Sequence, residues 1–364
     1  MEDSIDLDAL RTSVAEILAE ECDRETVLRH VAESSGPLLP LWEKVSELGW
    51  LMLAIPEEHG GLGLGTAALV PLYEELGRVA APLPFLVSML AADSILQAAS
   101  DAQKAQWLPR IASGEIATLS LPSARAPELR IRHDGDAVIL TGIADELIDA
   151  DSAALILLLA RDEDGSLHRV VLEKGDDAPL ETSALWDHGH RVSTLRADAL
   201  RLPAARAFAT TDEAEAALLA HAALGLAAEA VGGSEGILDI TIDYMKTREQ
   251  FGRPIGSFQA LKHRVADHRT QAFAARHLVE AAGAMLSGED ADWAREASAA
   301  KALACRAFAE IARDCIQLHG GIGFTAEQAC HLYLKRANLN ALLFGDEAAH
   351  LAIATRALFS RESV

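Results

Sequence analysis

Two short segments combine glycines with polar and aromatic side chains that could hold a phosphate-bearing ligand. Arg248–Gln259 has the sequence REQFGRPIGSFQ, and Gln317–Phe324 has the sequence QLHGGIGF. Glycine lets a backbone approach a ligand closely, and an arginine fork or the N–H groups near a helix end suit a phosphate or pyrophosphate. A purely structural explanation also fits each segment: the first could be a helix end followed by a proline break, and the second a helix end capped by glycine. Neither has the P-loop or dinucleotide-fold pattern, which would need a preceding strand.

Helices must position most of these residues, because the composition favours them. The chain has 364 residues, of which 50% are hydrophobic and only 5% aromatic, and alanine is very common. Alanine and leucine lose little side-chain entropy in a helix. The length allows two or three domains at roughly 100–200 residues each.

The hydrophobic pattern divides the chain into three zones. Leucine and valine recur at helical spacing in residues 1–115, whereas residues 116–206 contain short apolar runs broken by turns at Asp134–Gly135 and Asp164–Gly165. Residues 207–364 are alanine-rich and helical in pattern again. We predict a mostly α protein with a middle, antiparallel β domain, divided into these three domains.

Both ligand-type segments are expected at helix ends. A long helix is predicted to end near Pro254, and the next helix to start at Ser257, because serine is a good N-cap residue. Gly320 and Gly321 are predicted to stop the helix that precedes them, as glycine does just past a helix end.

The net charge of the chain and its cysteines indicate which kinds of partner and which cellular compartment to expect. The formal net charge is −23, which repels phosphate backbones and anionic lipids, so we expect no nucleic-acid and no membrane partner. No apolar run reaches the roughly 18 residues of a spanning helix, and the acidic start MEDSIDLDAL does not resemble a signal peptide. The cysteines form no CxxC pair and no zinc spacing, so we expect reduced thiols and a cytoplasmic protein. They are Cys22, Cys305, Cys315 and Cys330.

The segment Asp187–His190, with the sequence DHGH, is the strongest candidate for a metal site. No third ligand accompanies it, so we predict a turn between strands and no bound metal. The two other histidines near chemistry-bearing positions, His221 and His319, are interpreted as structural residues.

The two ligand-type segments resemble the best-marked sequences of the acyl-CoA dehydrogenase family. Arg248–Gln259 is similar to the family's R-x-x-F-G-x-x-I-x-x-F-Q, and Gln317–Phe324 to its Q-x-x-G-G-x-G-F. Pro56–Gly63 resembles the N-terminal P-E-x-x-G-G-x-G of the same family. The resemblance implies an N-terminal helical domain, a middle β domain and a C-terminal four-helix bundle, with each FAD at a dimer interface.

The resemblance also implies how FAD would be shared between subunits. In this family one subunit holds the flavin ring, largely through its β domain, while the neighbouring subunit clamps the pyrophosphate and adenosine end. Seven residues of this chain match the positions that clamp a neighbour's FAD in trans. They are Arg248, Phe251, Phe258, Gln259, Gln317, Gly320 and Gly321.

The residue that acts as base in the family has no equivalent here. The family desaturates acyl-CoA thioesters, with a carboxylate removing the α-proton while the flavin accepts a hydride from the β-carbon. Most members carry this glutamate at the position of Gly345, and a minority carry it at the position of Ala222. Asp346 and Glu347 lie close enough to be weak candidates, although acids are also favoured at a helix start.

Two stretches of the β domain depart from the family as well. Ser120–Pro127 stands where the family has T-E-P-x-x-G-S-D, and Glu146–Asp151 stands where it has W-I-T-N against the flavin ring. The half-site for this subunit's own flavin therefore looks dismantled. The pattern resembles the non-catalytic subunit of heterotetrameric bacterial acyl-CoA dehydrogenases of steroid side-chain breakdown.

We therefore predict a subunit that supplies FAD contacts in trans to a homologous catalytic partner, in an α2β2 assembly. The complex would act on a bulky acyl-CoA and pass electrons to an electron-transfer flavoprotein. Three alternatives stay open: a self-sufficient homotetrameric dehydrogenase that uses Asp346 or Glu347, a flavin monooxygenase on the same fold, and a scaffold subunit with no flavin role. The sequence does not identify the acyl group or the partner.

Overall fold

The computed structural model describes residues 6–121, 128–288 and 292–359. The first part is helical, as predicted from the leucine and valine spacing. Its helices are α1 (Leu7–Glu21), α2 (Arg24–Glu33), α3 (Leu39–Glu47), α4 (Val70–Arg78), α5 (Phe85–Ala98) and α6 (Asp101–Ala112). Ser100 and Gln103 form a reciprocal capping box that fixes the start of α6.

A β sheet follows, with its two predicted turns in place. Gly135 (φ 64°) lies between β2 and β3, and Gly165 (φ 90°) lies between β4 and β5. The strands are β1 (Ala117–Leu119), β2 (Arg130–Asp134), β3 (Ala137–Ile148), β4 (Leu155–Arg161), β5 (Leu167–Glu173), β6 (Leu180–Ala184), β7 (Arg191–Pro203) and β8 (Ala207–Thr210). They form one sheet in the order β6-β7-β3-β2-β4-β5-β8, with β1 beside β4.

The expectation of a purely antiparallel sheet is wrong at two pairings. β1 pairs with β4 in parallel, and β2 meets β4 in parallel at Arg130 and Arg161. The hairpin turns that motivated the prediction determine only the direction of consecutive strands, and these pairs are not consecutive. The remaining pairings of the sheet are antiparallel.

Helices resume after the sheet and continue to residue 359. They are α7 (Asp212–Thr247), α8 (Gln259–Ser287), α9 (Trp293–His319), α10 (Cys330–Leu342) and α11 (Glu347–Phe359), and the hairpin β9 (Glu249–Gln250) and β10 (Arg253–Pro254) separates α7 from α8. The predicted helix–sheet–helix fold class is therefore confirmed. Helix α7 is long and apolar enough to cross a membrane, but 78% of its most apolar window is buried inside the protein, as expected of a core helix.

The described residues group into two compact units. The first compact unit comprises those within residues 1–33, 67–81 and 223–364, and the second those within 34–66 and 82–222. In the second unit, the buried Arg169 of β5 forms a two-point ion pair with Glu215, which fixes the start of α7 against the sheet. The three-domain division at residues 115 and 206 stays a prediction.

In the first compact unit, α4 and α7 touch through their backbones. A methyl group added at Gly232 would overlap the carbonyl oxygen of Glu74, and one added at Gly77 would overlap that of Glu229. Only glycine permits so close an approach between two helices. Glu74 is fully buried beside this crossing, where it is held by ion pairs with Arg11 and Arg276 at 2.9 Å each.

Gly232→Ala should therefore destabilise the protein by about 3 kcal/mol, since its new methyl group meets backbone that cannot give way. Gly283→Ala in α8 is the matched control, because its methyl group would lie at an ordinary 3.6 Å from the side chain of Val70 in α4. That control should be neutral or stabilising by up to about 1 kcal/mol, since alanine is the better helix former. Urea unfolding curves of both variants check this, and equal stabilities would contradict the contact between α4 and α7.

Candidate cofactor clamp and base positions

The first ligand-type segment forms a hairpin between α7 and α8. Its turn lies at Phe251 and Gly252, which adopt positive φ angles of 55° and 76°. The predicted N-cap at Ser257 is wrong, because α8 begins at Gln259 with Phe258 at the cap position. Ser257 instead lies in a short 3-10 turn, and its buried Oγ has no hydrogen-bond partner in the described part of the chain.

Most side chains of this hairpin face solvent. Phe251 is 91% exposed and meets the ring of Phe258 edge-on at 6.2 Å between centroids. The guanidinium of Arg253 lies 4.2 Å from the centre of the Phe258 ring, within range of a cation–π contact. Arg248 is exposed, and its side chain makes no ion pair or hydrogen bond with any described residue. The hairpin thus carries one exposed arginine, Arg248, without a partner among the described residues and a second, Arg253, over an aromatic ring.

The second ligand-type segment begins where α9 ends at His319, as the glycines predicted. Gly320 has a positive φ of 66°. Apart from chain neighbours, no described residue has an atom within 4 Å of the place where a Cβ on Gly320 or Gly321 would stand. Gln317 is exposed and lines a groove of about 720 Å³ together with Phe324. The backbone at these glycines is therefore open to a ligand.

The structure brings the two segments together in the first compact unit. The hydroxyl of Tyr244, near the end of α7, donates a hydrogen bond of 3.2 Å to the carbonyl of His319. The predicted clamp residues accordingly lie at or just beyond the ends of α7 and α9, and apart from the partly buried Phe258 they are exposed. Gln259, at the start of α8, is exposed too.

The residues present fit the pyrophosphate of FAD, the cofactor that the family resemblance implies. Arg248 supplies an uncommitted guanidinium, and Gly320 and Gly321 supply backbone that no side chain obstructs. The unpartnered hydroxyl of Ser257 adds a polar group at the same hairpin. The role of each residue in holding FAD remains a prediction.

The principal base position is occupied by a tightly held turn between α10 and α11. Phe344 and Gly345 both have positive φ angles, of 58° and 106°. Lys301 of α9 donates from Nζ to the carbonyl of Gly345, and His350 of α11 donates from Nε2 to the carbonyl of Phe344 at 3.0 Å. A Cβ at Gly345 would stand 3.1 Å from the His350 ring nitrogen. A glutamate at this position would therefore be strained and crowded.

Lys301 and His350 were not predicted from the sequence. Both are almost completely buried, at 1% and 0% exposure, and burial lowers the pKa of each below its usual value. A signal for Lys301 existed, because it falls at helical spacing within the buried stripe of α9 that includes Ala297, Ala304 and Phe308.

The two acids beside this turn already have structural roles. Asp346 accepts a hydrogen bond of 2.9 Å from the backbone N–H of Ala349, which caps the start of α11. Glu347 pairs with Arg306 at 2.9 Å, and both side chains are about half exposed. The geometry supports the interpretation of these acids as a helix start.

The alternative base position lies in the second compact unit and carries no acid. Ala222 is fully buried in α7. The neighbouring His221 is 1% exposed and forms a hydrogen bond of 2.8 Å with Asp93 of α5. This contact supports a structural role for His221.

Asp149 and Asp151, two of the acids in the stretch Glu146–Asp151, make contacts within the β domain, and Asp151 pairs with Arg191 at 2.8 Å. Asp149 is fully buried, accepts a hydrogen bond from His190 Nδ1 at 2.7 Å and accepts another from the backbone N–H of Arg191 at 2.8 Å. Glu146 is exposed, with a positive φ of 59°. Most of the stretch Ser120–Pro127 lies outside the described residues.

The segment Asp187–His190 lies between β6 and β7, as predicted for a turn. In the described residues, no group of three or more His, Cys, Asp or Glu side chains could hold a metal ion. The four cysteines are buried and are not paired with one another.

Comparison with known sequences identifies the family. The profile of the acyl-CoA dehydrogenase N-terminal domain matches residues 4–115, and that of the C-terminal domain matches residues 211–359. The chain belongs to the acyl-CoA dehydrogenase family. A curated relative, the acyl-CoA dehydrogenase IpdE2 of Mycobacterium tuberculosis, is 34% identical across 92% of this chain and 91% of its own length.

Solved acyl-CoA dehydrogenase structures match over nearly the whole chain. A variant of the Tcur3481-Tcur3483 steroid acyl-CoA dehydrogenase superposes with a TM-score of 0.87 at 28% identity, covering 98% of this chain and 99% of that one. A chain of the ChsE4-ChsE5 complex of Mycobacterium tuberculosis superposes with a TM-score of 0.89 at 26% identity, covering 98% of each chain. This acyl-CoA dehydrogenase family member therefore has the same fold as these two structures.

The buried His350 should make stability depend on pH. Burial lowers its pKa from 6.5 to about 4, so between those pH values the unfolded chain takes up a proton that the folded chain refuses. Acidification through this window should therefore cost stability, by up to about 3 kcal/mol. Urea unfolding at pH 7 and pH 4.5 measures the loss, which should be smaller in His350→Gln because glutamine has no proton to gain. An equal loss in both proteins would show that His350 is not responsible.

Proposed function

We propose that this chain is the non-catalytic subunit of a hetero-oligomeric, FAD-dependent acyl-CoA dehydrogenase. It would contribute FAD pyrophosphate and adenosine contacts in trans to a homologous catalytic partner. The reaction is the α,β-dehydrogenation of an acyl-CoA thioester.

The turn at Gly345 is the observation that carries this proposal. A base for this reaction must be a carboxylate placed over the substrate's α-carbon. Gly345 supplies none, Asp346 is engaged as a helix cap, and Glu347 is paired with Arg306. At the second base position, Ala222 offers only a buried methyl group.

Retention of the clamp supports the same proposal. FAD, when bound, supplies the acceptor for the hydride that leaves the substrate. This chain's own contribution is to bind and orient: Arg248 would neutralise pyrophosphate charge, and Gly320 with Gly321 would let backbone N–H groups approach it. The groups that remain are thus those a neighbour's cofactor would need.

The solved relatives favour a heteromeric assembly and a bulky substrate. Two of them are named as pairs, ChsE4 with ChsE5 and Tcur3481 with Tcur3483, and the latter is described as a steroid acyl-CoA dehydrogenase. We extend this to a bulky or steroid side-chain acyl-CoA for the present chain, in an α2β2 complex. We further propose a cytoplasmic location and an electron-transfer flavoprotein as electron acceptor.

Arg248→Ala tests the trans contact to FAD. The chain should be co-expressed with a homologous acyl-CoA dehydrogenase that carries the catalytic glutamate, and the complex stripped of flavin and titrated with FAD. Loss of a charge-assisted contact to phosphate should weaken FAD binding about tenfold or more. Arg196→Ala, which removes a similarly exposed arginine from β7, is the matched control and should leave the affinity unchanged.

Unchanged FAD binding in the Arg248→Ala complex would defeat the proposal and favour a scaffold subunit. Full flavin occupancy and normal desaturation by this chain expressed alone would defeat it as well. That second outcome would favour a self-sufficient enzyme.

Asp346→Asn and Glu347→Gln distinguish the proposed non-catalytic subunit from a self-sufficient enzyme that uses one of these acids as its base. Neither side chain has a role in proton removal on the proposed assignment, so dehydrogenation by the complex should stay within about threefold of the original rate. Removing a general base typically costs about 10²–10⁴-fold in rate. A loss of that size in kcat for either variant, with FAD content unchanged, would identify the base in this chain.

A further inference from the structure

We infer that Tyr244 and His319 form a positioning pair that fixes Arg248 relative to the Gly320–Gly321 backbone, and that FAD affinity depends on this pair. The inference rests on the proposed function, since it concerns how the same clamp is assembled. Neither aromatic residue is itself assigned a contact with the cofactor.

The two side chains make a double contact. Their rings are stacked, with centroids 4.5 Å apart and planes inclined by 19°. The hydroxyl of Tyr244 then donates 3.2 Å to the carbonyl oxygen of the same His319. One residue near the end of α7 is thus held in place both by the ring and by the backbone of the residue that ends α9.

Tyr244 is connected directly to Arg248. The backbone N–H of Arg248 donates 2.8 Å to the carbonyl of Tyr244 and closes the last turn at the end of α7. Residues four apart lie on the same face of a helix, one above the other. A displacement of Tyr244 therefore moves the backbone that carries the exposed guanidinium.

His319 is connected in the same way to the glycines. It is the last residue of α9, and Gly320 follows it with a positive φ of 66°. Its Nδ1 donates 2.8 Å to the carbonyl of Cys315, so the neutral ring has its hydrogen on Nδ1 and is fixed against its own helix. Burial lowers the pKa of His319, which favours this neutral form near pH 7.

The exposure of these residues separates positioning from binding. His319 is 3% exposed and Tyr244 is half-buried, whereas Arg248, Gly320 and Gly321 face solvent. The histidine ring is thus covered by protein and the tyrosine ring partly so, while the groups on either side of the pair are free to meet a ligand. Its contribution to affinity would come from holding those groups at a fixed separation.

Tyr244→Phe is the sharpest test, because it removes one hydroxyl and keeps the stacked ring. Tyr333→Phe is its matched control in the same compact unit, since the Tyr333 hydroxyl donates 2.7 Å to the carbonyl of Arg78, away from the clamp. The flavin-free complex of each variant should be titrated with FAD by flavin fluorescence, and its thermal midpoint measured without FAD. Tyr244→Phe should weaken FAD binding about three- to tenfold, whereas Tyr333→Phe should lower the midpoint and leave the affinity within about twofold.

Combination with Arg248→Ala shows whether the pair acts through the arginine. If it does, Tyr244→Phe should have little further effect on FAD affinity once the arginine is absent, because no guanidinium is left to position. Full additivity of the two changes would overturn the inference.

Equal FAD affinities for Tyr244→Phe and Tyr333→Phe would also overturn it. In that case a tenfold loss with Arg248→Ala alone would leave the proposed function intact. If Arg248→Ala itself leaves FAD affinity unchanged, the proposed function is wrong, and the inference about Tyr244 and His319 is wrong with it.

Discussion

The first compact unit depends on the contact between the backbones of α4 and α7. Gly77 and Gly232 remove the side chains that would hold the two helices apart, so a small shift of either helix is blocked by main-chain atoms. Beside this contact, Arg78 pairs with Glu235 and Asp239, two residues of α7 separated by one helical turn. These contacts determine the position of α7 several turns before its C-terminal end. The predicted clamp begins just after that end, at Arg248.

On the proposed function, the chain combines a retained clamp with a base position that carries no carboxylate. The clamp needs open backbone and one free guanidinium, and both are present at Gly320, Gly321 and Arg248. The base needs a carboxyl group at one point in space, and the turn at Gly345 has instead been secured by a buried lysine and a buried histidine. Burying a lysine costs desolvation, which the hydrogen bond to the Gly345 carbonyl partly offsets. The turn is thus a structure with its own stabilising contacts, and a single Gly345→Glu exchange would not recreate a base there.

The order of helices and strands could be predicted from the sequence because it follows from local periodicity and from turn glycines such as Gly135 and Gly320. The two predicted clamp segments could be singled out because each carries glycines close along the chain to polar side chains, Gly252 near Arg248 and Gly320 near Gln317. The sequence does not show that Tyr244 and His319 join them, because these residues are far apart along the chain. Ser257 was misassigned as a cap because local preference cannot show that Phe258 takes the cap position beside Arg253. The burial of Lys301 could not be predicted for a related reason. A lysine is buried only when another residue supplies a hydrogen-bond acceptor, and here the acceptor is the main-chain carbonyl of Gly345, 44 residues away.

The strong acidity of the chain does not argue against an anionic cofactor, because recognition depends on the charges near the site. Elsewhere on the protein, arginines such as Arg78, Arg169 and Arg276 are neutralised by carboxylates within the fold. Arg248 is exposed without such a carboxylate among the described residues, and the nearby Arg253 lies over an aromatic ring. At ordinary ionic strength, salt screens the interaction between exposed charges that are more than roughly 10 Å apart. Acidic residues elsewhere on the surface therefore have little effect on a ligand bound at Arg248. An unneutralised arginine beside open glycine backbone can therefore attract a pyrophosphate on a surface whose average potential would repel it.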